Sequence, residues 1–170
     1  RELGVEPNTI TYSALISACE KGSQWQEALR VFDEMRVAGV KPNTITYSAL
    51  ISACEKGSQW EEALRVFEEM RGEGVRPDNI MYNALISACE KGSQWKQAIG
   101  LFEEMRVTGV EVDVITFTCL FSACLGGGQW DLGLSLLERA LAEGALHLCL
   151  DMDAWQLDLH GLCSATAKLV

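Results

Sequence analysis

The feature that most constrains this 170-residue chain is that it repeats itself at a fixed spacing. The string TITYSALISACEKGSQW begins at Thr9 and recurs unchanged from Thr44. Related copies begin at Asn79 and Val114, so that each start lies 35 residues after the one before. A period of this length is typical of proteins in which one supersecondary unit is stacked many times.

Each copy contains two segments in which apolar residues follow the period of an α-helix. In the first segment the stripe consists of Tyr12, Leu15, Ile16 and Cys19. In the second segment it consists of Trp25, Ala28, Leu29 and Phe32. Each repeat is therefore predicted to be a pair of antiparallel helices of about 12 to 15 residues.

Turn-forming residues mark the predicted helix ends. Gly22 ends the first helix, and Ser23 is expected to cap the second. In the next copy Ser58 and Glu61 match the S-x-x-E capping box. Glycines stop the second helix in three copies, at Gly39, Gly74 and Gly109, and Pro42 and Pro77 prevent its continuation.

One helical pair cannot bury its apolar stripes alone, so neighbouring pairs must stack. We expect an all-α chain, a right-handed superhelical α-solenoid of four helix-turn-helix repeats. The repeats span residues 9–43, 44–78, 79–113 and a degenerate 114–148. Residues 1–8 are read as the end of a missing preceding repeat, and residues 149–170 as a short irregular or strand-helix tail.

The first helix of each repeat carries a second stripe, which we call the groove stripe. In the first copy it consists of Ile10, Ser13, Ser17 and Lys21, and it recurs 35 and 70 residues later. A core does not favour a mixture of one β-branched residue, small hydroxyls and a lysine. The stripe is better suited to a groove that contacts a flat, polar ligand.

Composition excludes several classes of protein. No apolar run approaches the ~20 residues that cross a bilayer, and the chain does not start with a signal sequence. The formal charge of −10 argues against a protein that holds nucleic acid by bulk charge. Nearly all of the excess acid lies on the predicted second helices, at Glu68, Glu69, Glu103 and Glu104.

The cysteines are predicted to be structural. Four of them are 35 residues apart on the apolar stripe and are expected to be small core residues: Cys19, Cys54, Cys89 and Cys124. The other three, Cys119, Cys149 and Cys163, lack the spacing of a zinc site. We expect no bound metal. We also expect no cofactor, no small-molecule substrate and no catalytic residue.

With these features the chain resembles the pentatricopeptide repeat (PPR) family. The family pattern includes the 35-residue period and the opening (V/I)-T-Y-(N/S)-x-L-I. It also includes the second-helix motif E-A-L-x-(V/L)-F-x-E-M and the closing G-V-(K/R)-P-(N/D). The resemblance covers residues 7 to about 148, whereas the tetratricopeptide pattern, with its 34-residue period, fits poorly.

The resemblance implies modular binding of single-stranded RNA, one base per repeat. Each base would be sandwiched by the aliphatic residues Ile10, Ile45, Ile80 and Ile115. Its Watson–Crick edge would be read by Ser13 with Asn43, Ser48 with Asp78, and Asn83 with Asp113. By the family's code these pairs resemble readers of adenine, guanine and uracil, which implies the core 5′-A-G-U-3′.

Other positions have implied roles or open alternatives. In the fourth repeat Thr118 is paired with Leu148, which cannot hydrogen-bond, so this repeat specifies no base. Lys21, Lys56 and Lys91 match the family's phosphate-contacting lysine, although a lysine at a helix C-terminus also interacts favourably with the helix dipole. Helix capping is the alternative role for the closing Asn and Asp residues.

The tail carries a second resemblance. The segment L-D-L-H-G-L, with Asp158 and His160, resembles the opening of a small MutS-related (Smr) domain. Only about 20 residues remain for it, so we expect a truncated appendage without catalysis.

The leading hypothesis is an RNA-binding protein of the chloroplast or mitochondrion that acts in RNA processing, stability or translation, with other RNA-processing proteins as further partners. The alternatives are a protein-binding solenoid scaffold and a fragment of a PPR–Smr nucleic-acid-processing protein.

Overall fold

The computed structural model describes residues 7–142, which form eight α-helices of 13 residues each and contain no strand. The first helices of the four pairs are α1 (Thr9–Lys21), α3 (Thr44–Lys56), α5 (Asn79–Lys91) and α7 (Val114–Gly126). The second helices are α2 (Trp25–Val37), α4 (Trp60–Gly72), α6 (Trp95–Val107) and α8 (Trp130–Ala142). The predicted all-α repeat architecture is confirmed.

The two kinds of helix occupy different layers. α1, α3 and α5 each pack against the first helix of the next repeat, and all four first helices pack against their own second helices. Within residues 7–142 no second helix comes within 8 Å, Cα to Cα, of another second helix. The first helices therefore form a continuous inner row, and the second helices lie apart on the outer side. Ion pairs between arginine and glutamate side chains connect neighbouring outer helices: Arg36–Glu69 at 2.8 Å and Arg71–Glu104 at 3.0 Å.

The core lies between the two layers and continues from repeat to repeat. Phe32 packs edge-on against Tyr47 of the next repeat with ring centroids 5.6 Å apart, and Phe67 and Tyr82 repeat this contact at 5.5 Å. Leu50, Cys54 and their equivalents in the third repeat are fully buried. In the first repeat Leu15 is 48% exposed, because no described helix packs on the side of α1 that faces away from α3.

The short turn inside each repeat differs from the capping prediction, which is wrong. Ser23, Ser58 and Ser93 do not cap the second helices; they adopt left-handed backbone with φ of 54°, 54° and 56°. Each second helix starts after a glutamine that makes no side-chain cap. The serine N–H donates to a carbonyl three residues back, Ser23 to Glu20 at 3.1 Å, while Gln24 N–H donates to the Cys19 carbonyl at 2.9 Å. These two bonds close the first helix with a Schellman motif.

The glycine before that serine is needed for a close approach. Gly57 has φ of −80°, which any residue can adopt. A Cβ built on it would lie 2.4 Å from Cδ1 of Trp25 in the preceding repeat. The same overlap occurs between Gly92 and Trp60 and between Gly127 and Trp95. Each indole therefore packs directly on the backbone at the end of the next first helix. In contrast, Gly39 has the positive φ of 70° that the predicted helix stop requires.

None of the eight described helices is both long and apolar enough to cross a membrane. The predicted tail, including the Smr-like segment and Cys149, Cys163 and Leu148, lies outside residues 7–142, as do residues 1–6.

Candidate nucleic-acid interface

The groove stripe lies on the open face of the inner helix row. Its four aliphatic residues are among the most exposed apolar side chains of the described chain: Ile10 78%, Ile45 63%, Ile80 61% and Ile115 60%. They are one period apart, so each first helix presents one of them. An evenly spaced row of bare β-branched side chains can pack against flat rings without regard to their identity.

A cavity of about 310 Å³ opens on this face between the first two repeats. Its lining includes Ile45, Ser48 and Asp78, which the resemblance assigns to one base-binding unit. Ser17, Ser52 and Glu20 complete much of its polar wall. The structure thus brings together at one site three residues that are separated by up to 33 positions in sequence.

The residues that close the repeats are helix N-caps. Asn43 Oδ1 accepts from Thr46 N–H at 2.9 Å, and Asp78 Oδ1 accepts from Met81 N–H at 2.9 Å. Asp113 caps α7 in the same way through Thr116 N–H. Each cap uses one side-chain oxygen, which leaves an amide NH₂ on Asn43 and a second carboxylate oxygen on Asp78. The capping role is present, and it leaves an amide donor on Asn43 and a carboxylate acceptor on Asp78 for a ligand, whereas both carboxylate oxygens of Asp113 accept from Asn83.

The hydroxyl and amide positions of the stripe have unequal surroundings. Ser13 is only 6% exposed, and its hydroxyl lies 2.7 Å from Thr46 Oγ1. Asn83 donates its NH₂ to both carboxylate oxygens of Asp113, at 3.1 and 3.0 Å, and accepts from Thr116 Oγ1 at 2.6 Å. The threonine of the following repeat thus orients both side chains.

Ser48 of the second repeat has no such threonine in the repeat that follows it. At the equivalent position stands Met81, which is buried and has no hydroxyl to offer Ser48. Ser48 is half-buried and lines the open cavity. Thr118 is exposed, and its hydroxyl donates back to the Val114 carbonyl at 2.8 Å. Of Ser13, Ser48 and Asn83, only Ser48 makes no side-chain hydrogen bond within the described residues and lines the groove cavity.

The lysines of the stripe lie at the ends of the first helices and form ion pairs that the sequence analysis missed. Lys56 pairs with Glu20 and Lys91 with Glu55, each glutamate belonging to the first helix of the preceding repeat. The two lysine ammonium groups also approach the backbone carbonyls of these glutamates, at 3.5 and 3.4 Å. The separation of 36 residues, one period plus one, was visible in the sequence, but only stacking shows that it brings the charges together.

The cysteines behave as core residues. Cys54, Cys89 and Cys124 are buried, and Cys19 and Cys119 are half-buried. Burial raises the pKa of the Cys54 and Cys89 thiols to about 11, so both stay protonated at neutral pH. No cluster of three or more metal-ligating side chains occurs within the described residues.

A larger cavity of about 500 Å³ lies at the loops after the second helices, lined by Arg36, Lys41 and Glu73 among others. It contains none of the predicted base-reading or lysine positions. Three residues of the predicted site, Ile45, Ser48 and Asp78, line the smaller groove cavity instead.

Comparison with known proteins agrees with this architecture. The family model described as "PPR repeat family" matches residues 7–56, 49–89 and 77–126, and the model "PPR repeat" matches residues 115–144. These matches end before the Smr-like tail, so they lend it no support. A search of curated proteins found no match.

Several solved structures share the fold. The pentatricopeptide repeat protein PPR10 from maize is 22% identical with a TM-score of 0.70, over 83% of this chain and 20% of PPR10. PPR10 in complex with an 18-nt psaJ RNA element is 24% identical with a TM-score of 0.74, over 84% of this chain and 21% of that one. The PPR domain of Arabidopsis thaliana protein-only RNase P 1, in complex with tRNA, is 18% identical with a TM-score of 0.72. The match covers 88% of this chain and 83% of that one. The present chain thus spans about a fifth of the length of PPR10.

Proposed function

Because this chain belongs to the pentatricopeptide repeat family, we propose that its groove binds single-stranded RNA and reads one base per repeat, with the core 5′-A-G-U-3′. The observation that carries the proposal is the cavity in which Ile45, Ser48 and Asp78 meet. Similar folds have been solved with an 18-nt RNA element and with tRNA, which supports RNA as the ligand class.

The polar groups left over from helix capping account for the proposed letters. Asp78 retains a carboxylate oxygen, an acceptor suited to the imino and amino N–H groups on the Watson–Crick edge of guanine. Asn43 retains an amide NH₂, a donor suited to N1 of adenine. Asp113 already accepts from Asn83, and this pair offers acceptors to the imino N–H of uracil. The exposed isoleucines Ile45 and Ile80 supply the apolar sandwich for the middle base.

The reciprocal exchange Asn43→Asp with Asp78→Asn gives the sharpest test. The double variant has the same composition and charge as the wild type. Asn and Asp both cap first helices in this protein, so the exchange preserves the caps. It is expected to convert the preferred core from A-G-U to G-A-U. Fluorescence anisotropy with two labelled RNAs of these cores, flanked by cytidines, measures the switch at low salt.

Three results are informative. A preference that reverses between the two proteins supports base reading. RNA binding without any reversal refutes the code but leaves RNA as the ligand. Absence of RNA binding favours the alternative, a solenoid whose groove holds a peptide.

The proposal extends to an organellar role in RNA processing, stability or translation, in chloroplast or mitochondrion, alongside other RNA-processing proteins. Family resemblance alone supports this part. Import of the full-length precursor into isolated organelles, followed by immunoprecipitation of bound transcripts, tests it.

A further inference from the structure

Glu20 and Glu55 place two carboxylates in a groove that is proposed to hold a polyanion; we call them the groove carboxylates. Their side chains are 17% and 18% exposed, whereas the lysines they pair with are 39% exposed. Glu20 lines the same cavity as Ser48 and Asp78. The arrangement is therefore built into the binding face and is not an ion pair of the outer surface.

Each groove carboxylate is held by its lysine, and Glu55 is held by a serine as well. Ser87 Oγ donates to Glu55 at 3.0 Å, and each lysine also approaches the carbonyl of the same glutamate. A phosphate that binds Lys56 or Lys91 must compete with an ordered carboxylate only one helix away. Like charges at this distance repel, and a partly buried pair is weakly screened by salt.

The end of α5, the first helix of the third repeat, has the same glutamate without a lysine from the following repeat. Glu90 occupies the equivalent position, but Gly126 stands where the next lysine would be. Desolvation, and to a lesser extent the charge of Glu55, raises the pKa of the Glu90 carboxyl, while Lys91 lowers it. This carboxylate makes no ion pair within residues 7–142. The acidic position thus recurs in all three regular repeats, whether or not a lysine neutralises it.

We propose that the groove carboxylates are specificity-determining residues that withhold Lys56 and Lys91 from the RNA backbone. The inference rests on the proposed function. With the lysines occupied, sequence-independent phosphate contacts contribute little, so binding depends on the bases. Removing the carboxylates frees two cations, which strengthens binding to every single strand and weakens discrimination between strands.

The test compares two charge-matched double variants of the whole chain. Glu20→Gln with Glu55→Gln removes the groove carboxylates without changing their shape. Glu68→Gln with Glu103→Gln removes two ion-paired carboxylates from outer helices and alters the net charge equally. Both are titrated with A-G-U RNA, with G-A-U RNA and with an abasic deoxyribose-phosphate strand of the same length, over a range of salt.

The groove variant is expected to bind all three strands about ten-fold more tightly than the control variant at low salt. Its slope of log affinity against log salt should be steeper by up to about 1.4, because each freed lysine displaces ~0.7 counterion from a single strand. The ratio between the two RNAs should fall toward one. Adding Lys56→Gln and Lys91→Gln to the groove variant should abolish the gain.

The outcomes separate this inference from the proposed function. If wild-type protein prefers A-G-U and the two double variants behave alike, the carboxylates have no such role but base reading stands. If RNA preference is absent yet the groove variant alone gains affinity for the abasic strand, the carboxylates withhold the lysines and base reading fails. If the groove variant binds no strand more tightly than the control, the inference is overturned.

Discussion

Replacing Gly92 with alanine tests whether the tryptophan-on-glycine contact holds adjacent repeats together. Gly92 has φ of −81° and ψ of 3°, so an alanine is conformationally allowed there. Without a clash, Gly→Ala at such a position stabilises a protein by about 0.4–1 kcal/mol, chiefly by restricting the unfolded chain. Any loss of stability must therefore come from what the new methyl group meets.

The new methyl group meets the Trp60 indole. Its carbon would lie 2.3 Å from Cδ1, 2.8 Å from Cγ and 3.0 Å from Nε1 of the ring. Ordinary carbon contacts are about 3.5–4.0 Å, so the ring or the helix end must move by about 1 Å. Overpacking of this kind costs about 1–3 kcal/mol. After subtraction of the gain of about 0.4–1 kcal/mol, the net expectation for Gly92→Ala is a loss of about 0–2.6 kcal/mol.

Gly22 is a matched control in the same chain. It occupies the same place in the same sequence EKGSQW with φ of −81° and ψ of 1°. Its nearest neighbour for a Cβ is Gln24 Cγ at 3.4 Å, and no described tryptophan packs on it. Gly22→Ala is therefore expected to leave stability unchanged or to raise it by about 0.4–1 kcal/mol.

Urea denaturation followed by far-UV circular dichroism measures both variants. The free energies of unfolding should differ by about 1–3 kcal/mol, with Gly92→Ala the less stable. In a Trp60→Ala background the Gly92→Ala change should no longer destabilise, because the space is vacated. Equal effects of the two glycine variants, or an unchanged penalty without the indole, would refute the reasoning.

Two further changes test the groove and the core. Thr116→Val removes the hydroxyl that orients Asn83 and leaves the Asp113 backbone N–H without its acceptor. The free energy of unfolding, measured by urea denaturation, should therefore fall by about 1–2 kcal/mol. The control Thr118→Val, at an exposed position, should stay within about 0.5 kcal/mol of wild type. Burial holds the pKa of Cys54 and Cys89 at about 11 against an ordinary 9.0, so their contribution to stability is complete below pH 9.0 and is lost as pH rises to about 11. Denaturation at about pH 8 and about pH 10 should show this loss, and a smaller loss in the Cys54→Ala/Cys89→Ala variant would confirm its source; identical pH dependence would contradict it.

Most of the fold could be predicted from the sequence because the repeat imposes it. Apolar residues at helical spacing, glycine stops at Gly39 and prolines after them define two helices per period, and stacking is the only way to bury both stripes. The prediction that a serine caps the second helix, at the turn inside each repeat, was wrong for a local reason. Ser23 is a favourable N-cap by residue type, but it has left-handed backbone and closes the end of α1, and Trp25 then packs on the glycine of the next repeat.

The candidate site could be predicted as a set of residues but not as a geometry. The groove stripe was visible in the sequence as polar and β-branched residues on a helix face separate from the apolar stripe. Its position-by-position roles stay predictions, and the structure shows why they are unequal: Met81 leaves Ser48 without the hydroxyl partner that Ser13 and Asn83 have. Whether Thr46 and Met81 face the preceding repeat depends on how the repeats stack. The residue pattern within a single repeat does not determine this.

By itself, the sequence determined the period, the two helices of each unit, the buried stripe and the exposed row of isoleucines. These features follow from local helix geometry, because the spacing of residues along the chain fixes which of them share a helix face. Only the tertiary structure decided which charges meet, because Glu20 and Lys56 belong to different repeats and become neighbours when α1 and α3 pack side by side. In a solenoid each helix touches only its neighbours, so the composition of the groove is local, whereas its electrostatics belong to the interface between repeats.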